Sequence, residues 1–62
     1  MQLIFENKSK EMDFDGTVIT LLRSLKVMRE EVVIKINGKL APETAKIKSG
    51  DCVEIIKVVF GG

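Results

Sequence analysis

One stretch of this chain carries a helical hydrophobic period: Val18, Leu21, Leu22 and Leu25 fall at i, i+3, i+4 and i+7. A helix this short is marginal in water and needs a surface to receive its apolar face. The flanking sequence supplies one, because on both sides the hydrophobic period drops to two. Met1, Leu3 and Phe5 alternate with Gln2, Ile4 and Glu6, which predicts a strand. Asn7-Lys8-Ser9-Lys10 reads as a turn, and Met12 and Phe14 alternate with Glu11, Asp13 and Asp15 as a second short strand. At Asp15-Gly16-Thr17 the period changes. Gly16 breaks the strand, and Thr17 is placed to cap the helix by accepting a backbone N–H from its first turn.

Beyond the helix, Val27 to Glu31 is a connection. Val32 to Ile36 is β-branched and apolar apart from Lys35, and Asn37-Gly38 is a strong tight-turn signal. Lys39-Leu40 leaves room for a very short returning strand before Pro42, which cannot donate to a central ladder. Residues 43–49 read as an irregular excursion anchored by Ile47. Ser49-Gly50-Asp51 turns the chain again, and Cys52 to Phe60 is the longest strand candidate. Strand, strand, helix, strand, short strand, strand is an α+β order, with one sheet carrying one helix on one face. A last strand inserted beside the first sends the C-terminus out beyond the sheet. That arrangement is the β-grasp, or ubiquitin-like, roll: a mixed sheet of four to five strands with one helix packed on it. The expected division is a domain over 1–60 and a flexible tail at 61–62.

Composition narrows the function. With 62 residues the chain makes one domain, near the size at which only about 60% of the unfolded surface is buried. The single cysteine excludes an internal disulfide framework, so packing must hold the fold. Ten basic and nine acidic side chains give a net charge of +1. Without a basic bias, a recognised module or an aromatic platform, nucleic acid is not an expected partner. Leu3-Ile4-Phe5 is too short, and lacks the basic leader, to read as a secretory signal; nothing approaches a membrane-spanning length. The cytoplasm is the expected compartment, and a membrane is not an expected partner.

Chemistry-bearing groups are sparse. There is no histidine, and Asp13 with Asp15 is a poor metal site, so no metal is expected. Cys52 begins a strand with no base to activate it, and reads as a small buried hydrophobe. One cysteine is too few for an iron–sulfur cluster, and no glycine-rich phosphate loop lies in the interior. No nucleophile–base pair exists, so the chain reads as a cosubstrate rather than an enzyme.

The exception is the C-terminus, Phe60-Gly61-Gly62. At average glycine usage of about 7%, a terminal pair arises by chance roughly once in 200 chains. Here Val58-Val59-Phe60 runs straight into it, whereas disordered tails are polar. A strand running into a bare carboxylate makes the carboxylate the candidate working group. Its ordinary pKa of about 3.3–3.7 keeps it ionised and nucleophilic at neutral pH. Glycine puts no Cβ beside that carbonyl and lets a tail thread a narrow channel. If Val53 and Ile55 face the helix, strict alternation turns Ile56, Val58 and Phe60 outward, as an apolar strip leading to the tail and a candidate docking surface; the alternative is a bulge or an edge strand that covers them.

Ser49-Gly50-Asp51, then Val53-Glu54-Ile55, then a hydrophobic strand into Phe60-Gly61-Gly62, resembles the C-terminal signature of the small ThiS/MoaD-type sulfur carriers. Val33-Ile34-Lys35-Ile36-Asn37-Gly38 resembles their mid-chain strand and turn, and Asp15-Gly16-Thr17-Val18 before Leu21-Leu22 their helix entry. The resemblance implies that an adenylating, ubiquitin-activating-type enzyme uses ATP and Mg to activate Gly62, with Gly61 its required neighbour. A sulfur donor such as a cysteine desulfurase or a rhodanese-type protein then supplies sulfur. The resulting thiocarboxylate serves a sulfur-accepting synthase in thiamine, molybdopterin or transfer-RNA thiolation pathways. The chain itself would bind no cofactor, and would be a monomer when free. Two alternatives stay open: a covalent protein modifier that uses the same activated Gly62, and a noncovalent ubiquitin-like binding module.

Overall fold

The structure, a computed structural model, describes residues 1–58. Its elements run β1 (Gln2–Phe5), β2 (Lys8–Glu11), β3 (Gly16–Thr17), α1 (Val18–Leu25), a single 3-10 turn at Arg29–Glu31, β4 (Val32–Ile36), β5 (Lys39–Leu40), β6 (Lys46–Ile47) and β7 (Cys52–Lys57). A five-stranded mixed sheet forms in the order β2-β1-β7-β4-β5, with β3 and β6 paired separately. The last strand lies at the centre, parallel to β1 and antiparallel to β4. With α1 on one face, this is the α+β, β-grasp arrangement expected from the pattern.

The first hairpin is tighter than its sequence signal implied. The turn is Glu6-Asn7, both at positive φ (53° and 64°), rather than Asn7 to Lys10. Two successive residues at positive φ make a turn whose twist matches the strands it joins. The second strand is therefore Lys8–Glu11 and ends before Met12 and Phe14. The register explains the shift. Met12 N–H donates to Met1 O at 2.9 Å, which sets Met12 opposite Met1 at the end of the hairpin. Met1 is buried there, and Met12 and Phe14 pack against the same core. All four side chains of β2 are exposed, and its two lysines blunt an open sheet edge.

The helix entry also differs from expectation. Thr17 makes no side-chain cap; its hydroxyl lies 3.0 Å from that of Thr20. The first helical N–H groups are bonded instead by main chain from far along the sequence, Val18 N–H to Ala45 O at 3.0 Å and Ile19 N–H to Glu43 O at 2.9 Å. That excursion is held in place by β6, where Ile47 pairs with Gly16 and is completely buried. At its other end α1 closes on Lys26 in the left-handed region (φ 59°). Lys26 N–H bonds Arg23 O and Val27 N–H bonds Leu22 O, a closure usually made by glycine.

Val18, Leu21 and Leu22 of α1 meet Leu3, Ile34, Val53, Ile55, Met1 and Ile47 in one core. Each is worth about 1.5–3 kcal/mol of burial, the source of a helix stability that eight residues alone could not provide.

Candidate functional site

The far side of the sheet, away from α1, leads toward the C-terminus. Along β7, Val53 and Ile55 are 0% and 3% exposed under the helix, while Ile56 is 36% exposed. Register places Val33 of β4 directly across from Ile56, and Lys35 across from Glu54. Residues directly opposite in an antiparallel pair share a face. Leu40 of β5 lies across from Lys35 and is 72% exposed, which widens the apolar strip toward the sheet edge. Val58 follows β7, half-buried, with its N–H donating to Glu31 O at 2.8 Å. Of the expected docking residues, Ile56 is thus on the open face and Val58 is at the strand's exit. Phe60, Gly61 and Gly62 lie outside the described residues.

Val33 and Leu40 were not singled out from the sequence. The signal was present in Val32-Val33-Ile34, which is apolar at consecutive positions and so must show one apolar side chain away from the helix.

The direction in which β7 presents its side chains depends on how the strand begins. Two turns meet there. Asn37 and Gly38 both adopt positive φ (53° and 83°), as does Gly50 (92°). Asn37 Nδ2 donates to Asp51 Oδ1 at 3.1 Å, Lys48 N–H donates to Asp51 Oδ2 at 2.9 Å, and Cys52 N–H donates to Asn37 Oδ1 at 3.0 Å. Main chain adds Asn37 N–H to Cys52 O at 2.8 Å and Gln2 N–H to Asp51 O at 2.9 Å. The Lys48 N–H, and after it the Asn37 amide, hold the Asp51 carboxyl below the usual carboxylate range. This latch ties the β4–β5 turn, the turn before β7 and the start of β1 together. It thereby sets the register of the central strand, where a one-residue slip would turn Ile56 inward and Ile55 outward.

Cys52 sits in that latch through its main chain, half-buried and unpaired with any other cysteine. Among the described residues no group of three or more His, Cys, Asp or Glu side chains is disposed to hold a metal ion. No helix among them is long and apolar enough to cross a membrane. The arrangement offers a sheet whose central strand is latched at its start, with an exposed apolar strip beside it.

Comparison with known proteins agrees with that geometry. The model of the ThiS family matches residues 3–62. The crystal structure of a thiamine biosynthesis protein (ThiS) from Geobacter metallireducens is similar with a TM-score of 0.68, at 30% sequence identity, over 100% of both chains. A solution structure of a thiamine biosynthesis protein from the same organism matches with a TM-score of 0.66, at 32% identity, over 100% of this chain and 88% of that one.

Proposed function

The chain belongs to the ThiS family, and from that premise we propose that it is a sulfur carrier of thiamine biosynthesis, working through the carboxylate of Gly62. The observation that carries this reading is the extent of the family match, which runs through Gly61 and Gly62 rather than stopping at the folded core. A carboxylate is a poor electrophile, so sulfur cannot displace its oxygen directly. An activating enzyme supplies ATP and Mg, the Gly62 carboxylate attacks the α-phosphate, and pyrophosphate leaves. The persulfide of a desulfurase- or rhodanese-type donor then displaces AMP to give an acyl disulfide, and a thiol that attacks the donor's sulfur, ending as a disulfide with it, releases the thiocarboxylate. A synthase of the thiamine pathway receives that sulfur, and the carboxylate returns.

In this reading the chain is a cosubstrate that works in the cytoplasm. Its fold presents the tail, and its open sheet face engages the activating enzyme. Fixing the backbone of two glycines in a partner's channel costs on the order of 1–2 kcal/mol each, which contacts of the folded domain must offset. The strip at Ile56, Val58 and Phe60, widened by Val33 and Leu40, is the surface we assign to those contacts. Apolar exposure rimmed by Lys35 and Glu54 is the usual character of such a patch.

The test is the exact mass of natively purified, untagged protein, with C-terminal fragmentation to locate any change. Location matters because Met1, Met12 and Met28 can each gain an oxygen, which mimics oxygen-to-sulfur exchange at low mass resolution. Sulfur on Gly62 is the expected result. A carboxylate that stays unmodified when offered ATP, a ThiS-activating enzyme and a sulfur donor would refute the carrier reading. Amide conjugates of Gly62 to lysines of other proteins would instead select the protein modifier.

A further inference from the structure

The main chain loses its hold on the C-terminal segment at Val58. On one side of β7, β1 has already turned away at Glu6-Asn7, both at positive φ. On the other side, Val58 N–H donates to Glu31 O at 2.8 Å, but the Glu31 N–H is taken by Met28 O at 3.0 Å. The return bond that an antiparallel pair would make, from Glu31 N–H to the Val58 carbonyl, is therefore missing, and the ladder ends there. Any direction that the domain gives to residues 59–62 must come from a side chain.

Beside this exit the core is left open. A concavity of about 350 Å³ is lined by Phe5, Leu25, Val27, Met28, Glu31 and Lys57, between the end of α1 and the end of the sheet. Phe5, Leu25 and Val27 are half-buried against the core, and Met28 is 57% exposed. Lys57 Nζ lies 3.5 Å from Glu6 Oε1 at the rim, a contact between two side chains that are each more than half exposed and that yield at little cost. Side chains alternate along β7, and Val53 and Ile55 point to the helix side. Lys57, next in that series, borders the concavity together with Leu25 of α1. Val59 is the following member of the series. Its Cα stands within about 3.8 Å of that of Val58, whose N–H is fixed on Glu31, part of the concavity's own wall.

We propose that Val59 is a positioning residue, whose side chain seats in this concavity against Met28 and Phe5 and fixes the direction in which the C-terminal segment leaves the domain. Removal of the uncovered apolar surface of Met28 from water drives the contact. By the same alternation Phe60 stays on the side of Ile56, and Gly61 and Gly62 are left to be ordered in a partner. The consequence for activation rests on the carrier reading; the seat itself does not.

The first measurement is methyl NMR on the free, full chain. Val59 methyl protons should show nuclear Overhauser contacts to the Met28 methyl and the Phe5 ring. Val59→Ala should move the Met28 methyl resonance, and Phe60→Ala should leave it in place. The second measurement is ATP–pyrophosphate exchange with a ThiS-activating enzyme. Val59→Ala should raise the KM for the chain roughly three- to tenfold with kcat within about twofold, because no reacting atom is touched, and Val59→Ile should keep the native KM. Met28→Ser, at an exposed position, should preserve the fold and raise KM to a similar extent, and adding Val59→Ala to it should have little further effect. Absence of any contact from Val59 to Met28 or Phe5 would overturn the seat, as would a Met28 methyl that responds to Phe60→Ala instead. Contacts present with KM unchanged, or effects of Val59→Ala and Met28→Ser that multiply, would overturn the positioning role. A native chain that supports no exchange would strike the carrier reading, and the NMR contacts would still decide the seat.

Discussion

Ile47 bears most directly on how the platform is built. It is completely buried within a two-residue strand, in a segment that otherwise looks like loop. Ile47→Ala removes three carbons from the core, about 2.4 kcal/mol at about 0.8 kcal/mol each. A residual cavity of about 50 Å³ adds about 1.2 kcal/mol at about 24 cal/mol per Å³. The expected cost is therefore about 3.6 kcal/mol. A domain of 62 residues has a total stability of roughly 3–9 kcal/mol, so the variant should lose between about two-fifths and all of it. The chain has no Trp or Tyr, so the assay is far-ultraviolet circular dichroism in urea, read as the loss in extrapolated unfolding free energy. Leu40→Ala is the control: at 72% exposed it should cost under about 0.5 kcal/mol. A cost below about 1 kcal/mol for Ile47→Ala would refute the reasoning. It would mean that the 41–50 segment does not anchor the helix entry through the Glu43 and Ala45 carbonyls.

The latch makes stability depend on acid. Because the Asp51 pKa is depressed on folding, its contribution is complete above the unfolded value of about 3.9 and is lost as pH falls through the lower folded value. Urea midpoints of the native chain and of Asp51→Asn should therefore differ at pH 6 and converge toward pH 2; a gap that stays constant would contradict this. Lys26→Gly should stabilise the fold by roughly 0.5–1 kcal/mol, since glycine relieves the left-handed cap at the end of α1; thermal melting gives the sign. Ile56→Asp should leave the circular dichroism spectrum intact and lower the rate of ATP–pyrophosphate exchange by the activating enzyme about tenfold or more, and an unchanged rate would remove Ile56 from the docking surface. Phe60→Asp is expected to act in the same direction in the same exchange assay.

Local and periodic information was legible in this chain, and contacts across the fold were not. The 3.6-residue stripe of Val18, Leu21, Leu22 and Leu25 identified the helix and its buried face, because helix geometry puts those positions together whatever surrounds them. Asn37-Gly38 identified its turn, because few other pairs adopt two successive positive φ angles. The terminal Gly61-Gly62 pair pointed to carboxylate chemistry, since its unusual feature is covalent rather than conformational. Thr17 misled, because a side-chain cap is only one way to bond the first helical N–H groups. The winning partners, Ala45 and Glu43, lie 27 and 24 residues along the sequence from the N–H groups they bond. The first hairpin was placed too late because Glu6 carries no turn signal. Its positive φ is imposed by setting Met12 across from Met1 at the core. Motif and period thus determined the helix, the longer strands, the fold class and a candidate working group. Only tertiary structure decided which carbonyls bond the first helical N–H groups and that Asn37 and Asp51 set the register of β7. Each of these depends on which distant backbone groups meet, and a hydrogen bond between distant residues leaves no periodic trace in the residues that make it.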